Sequence, residues 1–85
     1  MKLKRVELQS SAMAPGRGTV QKQFVDQDGA PGTRDHTLRW DEAARLVEVT
    51  DRATGIRGYV PEANISIMVP HPSEPHDAAP ARTRR

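Results

Sequence analysis

The chain contains no cysteine. No disulfide framework, thiolate metal site or cysteine nucleophile can therefore form. The absence fits a reducing compartment. Long hydrophobic runs are missing too, since no apolar stretch approaches the ~20 residues that span a bilayer. Residues 1–8 are basic but alternate charged and apolar side chains. A secretory signal needs a continuous apolar stretch of about 7–15 residues. These absences lead us to expect a cytoplasmic protein with no membrane association. Aromatic residues number only three, Phe24, Trp40 and Tyr59. A charge excess is also lacking: 13 Lys and Arg stand against 11 Asp and Glu, a net charge of +2. Dedicated nucleic-acid domains carry a clear basic excess or stripe, and this sequence has neither unless the folded surface segregates the charges.

With 85 residues the chain has room for one domain. A domain so small buries a modest share of its surface and is marginally stable. Its composition changes at residue 70. Residues 70–85 hold four of the seven prolines and no Leu, Ile, Val, Phe, Tyr, Trp or Met. Proline removes a backbone donor and nothing there can be buried. We therefore expect a folded body over residues 1–69. A disordered, Pro-rich tail over 70–85 follows it and ends in Arg82, Arg84 and Arg85.

The body reads as short strands divided by turn chemistry. Residues 2–8 form the first, with Val6 and Leu8 on one face and Leu3 on the other, which a bulge would reconcile. Residues 10–18 are a loop marked by Ala14-Pro15-Gly16-Arg17-Gly18. Residues 19–25 form a strand with Val20 and Phe24 on one face. A loop over residues 26–35 holds Asp28-Gly29 and Pro31-Gly32, both strong turn formers. Strands follow at 36–40, 45–50, 56–60 and 65–69. Residues 41–49 could instead start a helix, with Asp41 as N-cap. The stiff, β-branched Val47, Val49 and Thr50 favour the hairpin.

Five or six short strands in about 69 residues are expected to make an all-β domain, a strongly bent antiparallel sheet or small barrel around one core. The expected core is Val6, Leu8, Val20, Phe24, Leu38, Trp40, Val47, Val49, Ile56, Val60, Ile65, Ile67 and Val69.

Gly58-Tyr59-Val60-Pro61-Glu62-Ala63-Asn64-Ile65 resembles the closing stretch of Src-homology-3 and bacterial Src-homology-3-like domains. In that family a strand ends in a Gly-aromatic-aliphatic-Pro run. One helical turn carrying Asn comes next, and a last short strand follows. The resemblance implies a barrel shape. Several family features are missing. Trp40 stands alone where the family has an adjacent tryptophan pair, the acidic loop and the early Ala-Leu-Tyr strand are absent, and one extra residue separates Pro61 from Asn64. Tyr59 and Pro61 match the family's peptide groove. Its other aromatic walls are missing, so peptide recognition is not carried over. In general style the short, Arg-rich chain also resembles small bacteriophage proteins, which implies a host cytoplasm.

Chemistry-bearing motifs are thin. His71 and His76 stand near Glu74 and Asp77, but in a Pro-rich tail that fixes no ligand geometry. Ser10, Ser11, Asp35 and His36 supply the types for nucleophilic catalysis without a spacing that makes them converge. Pro15-Gly16-Arg17-Gly18 could approach a phosphate but lacks the Walker pattern. We expect no catalytic, cofactor or metal residue, and no enzyme. The leading expectation is a binding module that docks on a larger protein as adaptor or inhibitor, with Arg39, Arg45, Arg57, Tyr59 and Met68 as contacts, because Arg and Tyr are enriched in binding hot spots. A single-stranded nucleic-acid binder using Arg39, Arg45, Arg52 and Arg57 is the first alternative. The second is a structural accessory subunit of a phage particle, which would self-assemble.

Overall fold

Alternation of apolar and polar residues produces strand after strand. The computed structural model describes residues 1–72 together with 82 and 83. Its elements are β1 (Lys2–Met13), β2 (Val20–Val25), β3 (His36–Asp41), β4 (Leu46–Asp51), β5 (Arg57–Pro61), a 3-10 turn (Glu62–Asn64), β6 (Ile65–Pro70) and the two-residue β7 (Arg82–Thr83). Every pairing is antiparallel, in the order β5-β4-β3-β1-β6-β7, with β2 also against β1. Among the described residues no helix layer covers the sheet, so burying one face requires the sheet to bend over itself. The bend stops short of closure: among the described residues β5 pairs only with β4. The expected all-β class and bent antiparallel sheet are what the structure has. Among the described residues no helix is long and apolar enough to cross a membrane.

Residues 36–51 form the expected hairpin, not a helix. Trp40 sits opposite Val47, and Leu38 opposite Val49. Val47 in turn faces Val60 on β5. These inward rows make the centre of the core with Leu3, Val6, Leu8, Ala14, Phe24, Ile65 and Met68. The turn ends at Arg45, whose φ of 57° lies in the left-handed region.

Two bulges decide which side chains point inward. On β1 the register against β6 shifts between Leu3 and Arg5 and again between Glu7 and Leu8. Leu3, Val6 and Leu8 can therefore all be buried on one strand, as a bulge was expected to allow. The second shift also resets β6, because Glu7 faces Ile67 while Leu8 faces Ile65. Ile65 and Met68 point inward; Ile67 and Val69 are only half-buried. Two other expected core residues lie outside: Val20 is 63% exposed near the far end of the β1–β2 hairpin, and Ile56 is exposed before β5.

Strand β1 runs on to Met13 through what was expected to be loop. Five steps along β1, from Glu7 to Ala12, match only two along β2, from Gln23 to Gln21. The extra residues need partners elsewhere. The Asn64 side chain supplies them: the Ser10 amide donates to Asn64 Oδ1 at 2.8 Å, and Asn64 Nδ2 donates to the Ser10 carbonyl at 3.0 Å. The 3-10 turn is thereby tied to β1.

The fold also runs past residue 69. Pro70 ends β6, where a missing N–H is tolerated, and His71 is buried with its amide donating to the Lys2 carbonyl at 3.0 Å. Most of the expected tail, including Glu74, His76, Asp77, Arg84 and Arg85, lies outside the described residues.

Candidate functional site

Outward-facing residues of β3, β4 and β5 form cross-strand rows. One row runs Lys2, Arg39, Glu48, Tyr59 and the next Thr37, Thr50, Arg57. Strict alternation puts them there, because their neighbours Leu38, Trp40, Val47, Val49 and Val60 take the buried side. Arg39 and Arg57 are exposed, and Tyr59 is 58% exposed. Within these rows Glu48 is the one acidic group. Three of the five expected contact residues therefore share a cationic face with a single aromatic ring. The face ends at β5, which among the described residues pairs only with β4 and so is an edge strand.

The other two expected contacts are not part of this face. Met68 is fully buried in the core, which corrects its reading as an exposed apolar contact; the register shifts on either side of its pair with Val6 set which β6 side chains turn inward. Arg45 is committed within the fold. Its guanidinium pairs with Glu42 and, at 2.6 Å, with Glu62, and it stands 5.6 Å over the Trp40 ring. The indole N–H donates to Glu42 Oε1 at 2.8 Å. This cluster ties the β3–β4 turn to the 3-10 turn.

Arg52 lies beyond the opposite end of β4, in a cluster of charges that the sequence reading did not assemble. Asp26, Asp35 and Asp51 are buried there, each at the end of a strand or turn. Arg52 donates to Asp26 Oδ1 at 2.5 Å and to both Asp35 oxygens at 3.2 Å. Arg17 donates to Asp51 at 3.0 Å and to the Asp35 carbonyl at 3.0 Å. Burial works against ionisation of Asp35, but the Gln27 and Gly29 amides and the Arg52 charge outweigh it and hold its carboxyl below 3.8. The Thr54 hydroxyl, against the cost of burial and with help from Arg17, does the same for Asp51. Burial also penalises the Arg52 charge, and Asp26 and Asp35 more than restore it, raising its pKa. The mutual ion pairing makes this end of the bent sheet a polar plug.

That plug absorbs two motifs weighed from the sequence. The loop at Pro15-Gly16-Arg17-Gly18 is packed into the sheet: a Cβ on Gly16 would meet Asp51 Oδ2 at 2.5 Å. Asp51 and the Asp35 carbonyl take up Arg17 here, so its guanidinium is committed within the fold. His36 is buried with Nε2 3.0 Å from the Pro15 carbonyl, while the Asp35 carboxylate bonds the Gln27 amide and Arg52. Asp35 therefore does not orient His36. The same rearrangement divides the arginines named for nucleic acid: Arg39 and Arg57 share the outer face, whereas Arg45 and Arg52 are ion-paired at opposite ends of β4.

In comparisons with known proteins, no family model matches the chain, and neither a curated protein nor a solved structure does.

Proposed function

We propose that the chain is a non-catalytic binding module that docks on a larger protein, as adaptor or inhibitor, through the outer face of β3–β5. The observation that carries this reading is the register that aligns Arg39, Arg57 and Tyr59 on one face, beside an edge strand. Arg and Tyr are over-represented among residues that dominate binding energy. An unpaired edge can add an extended segment of a partner through main-chain hydrogen bonds. The face is cationic apart from Glu48, so a partner segment of acidic character suits it. The barrel resemblance belongs to the same proposal, and the order β5, 3-10 turn, β6 supports it locally.

Two variants and one affinity capture from lysate test the proposal. Arg57→Glu and Tyr59→Ala alter exposed side chains and leave the core untouched. Each is expected to weaken a stoichiometric, nuclease-resistant protein complex by about tenfold or more. Retention of that protein by both variants would overturn the assigned face. A nucleic acid held only at low salt would favour the single-strand alternative, since phosphate contacts release counterions. Division of the four arginines among three places weighs against that alternative. Self-assembly at micromolar concentration would favour the structural accessory role.

A further inference from the structure

Beside the plug, two segments distant in sequence bring three metal-capable donors together. Asp26 follows β2, Asp28 lies in the turn after it, and His71 follows β6. Asp26 Oδ2, Asp28 Oδ1 and His71 Nε2 all lie within 4.8 Å of one another. We propose that these three atoms form a binding site for a divalent transition-metal ion with oxygen and nitrogen preference, of the zinc or manganese class.

Each carboxylate divides its oxygens. Arg52 takes Asp26 Oδ1 at 2.5 Å, and the Asp28 amide donates to the same oxygen at 2.7 Å. Lys4 takes Asp28 Oδ2 at 3.3 Å. Of the remaining oxygens, Asp26 Oδ2 lies 4.0 Å from His71 Nε2, and Asp28 Oδ1 is hydrogen-bonded to the same nitrogen at 2.6 Å, a bond that the ion would replace as it displaces the proton. Asp26 Oδ2 is the telling atom. It belongs to a fully buried side chain and, among the described residues, has no hydrogen-bond partner. A buried carboxylate oxygen left unmatched is costly, and a cation at this point would satisfy it.

Charge points the same way. Asp26, Asp28 and Asp35 face Lys4 and Arg52 here. One negative charge remains when His71 is neutral, as a metal requires. The donor set then sets the class. Imidazole with two carboxylates suits zinc, manganese or cobalt rather than soft copper(I). Calcium takes six to eight oxygens and has less use for a nitrogen. Zinc ligands sit at ~2.0–2.2 Å, so the three donors need only small side-chain movements to close on one ion. Asp26 and His71 are buried and held by the backbone; Asp28 is exposed and can adjust. Three protein ligands leave further coordination positions to water. The ion would clip the β2–β3 loop to the end of β6, joining Asp28 and His71, 43 residues apart.

Untagged full-length chain, stripped with a chelator, is titrated with zinc chloride and separately with manganese chloride by calorimetry, and its melting temperature is followed in parallel. We expect one ion per chain and a rise in melting temperature, because a ligand bound only by the folded state stabilises it. Asp28→Asn, at an exposed side chain, and His71→Gln should each weaken binding by at least about tenfold, while His76→Ala should leave it unchanged. Circular dichroism without metal verifies that each variant is folded. Three results would overturn the proposal: no binding by folded wild type up to about 1 mM metal, wild-type affinity in either Asp28→Asn or His71→Gln, or an affinity that follows His76.

Discussion

Met68→Ala separates a surface contact from a core position. The Met68 side chain is fully buried, and on β1 it lies opposite Val6, itself fully buried. Truncation removes the buried thioether arm and leaves a cavity in the core. Met→Ala at such sites costs about 2–5 kcal/mol. Total stability, at roughly 0.05–0.15 kcal/mol per residue, is on the order of 4–11 kcal/mol for the described residues. The variant should therefore lose roughly a fifth of it or more. Trp40, buried and the sole tryptophan, reports unfolding by fluorescence in urea. With a slope near 1 kcal/mol/M, the midpoint should fall by about 2 M or more, and the melting temperature by at least about 10 °C. Tyr59→Ala, on the exposed face, is the control and should stay within about 0.5 kcal/mol of wild type. A Met68→Ala variant as stable as Tyr59→Ala would refute both the inward orientation and the bulge that produces it.

Gly16→Ala and Gly32→Ala form a matched pair, since both glycines are left-handed, with φ of 75° and 78°. Each should lose about 1–2 kcal/mol to backbone strain. Only Gly16→Ala should lose clearly more in urea titration, because its Cβ would meet Asp51 Oδ2 at 2.5 Å, whereas nothing lies within 4 Å at Gly32. Equal losses would remove the polar plug from the account of that loop. Acid should destabilise the domain through Asp28, Asp35 and Asp51. The His71 and Lys4 contacts hold Asp28 below the ordinary 3.8, as the contacts described above hold Asp35 and Asp51. Near that value the unfolded chain binds more protons than the folded one, so stability rises with pH. The contribution is complete above about 3.8 and is lost as pH falls through the lower folded values. Melting temperature should fall progressively below about pH 4, and a melting temperature that holds through this range would contradict the assigned contacts.

Much of the strand pattern was legible because it is local. Residues 36–51 alternate cleanly and end on β-branched side chains, and they form the hairpin that pattern demands. Gly58 to Ile65 carried its strand, short turn and strand in order. On β3 and β5 a period of two was enough to put Arg39, Arg57 and Tyr59 outside. Where a bulge intervenes, the period fails. Met68 and Ile67 exchange roles because an irregularity between β1 and β6 shifts the phase, and that shift depends on a partner strand some sixty positions away. By composition Pro70 and His71 read as the start of a tail; in the structure the His71 amide donates to the Lys2 carbonyl and its ring bonds Asp28.

The sequence by itself determined the all-β class, the hairpin and the outer face of β3–β5, since each follows from the alternation of neighbours along one strand. Only the tertiary structure decided the buried charge plug, the commitment of Arg17, Arg45 and Arg52, and the meeting of Asp26, Asp28 and His71. Those contacts join turns far apart in the chain, and no local spacing encodes them. They exist because the sheet bends, and the bend carries the strand ends to one place.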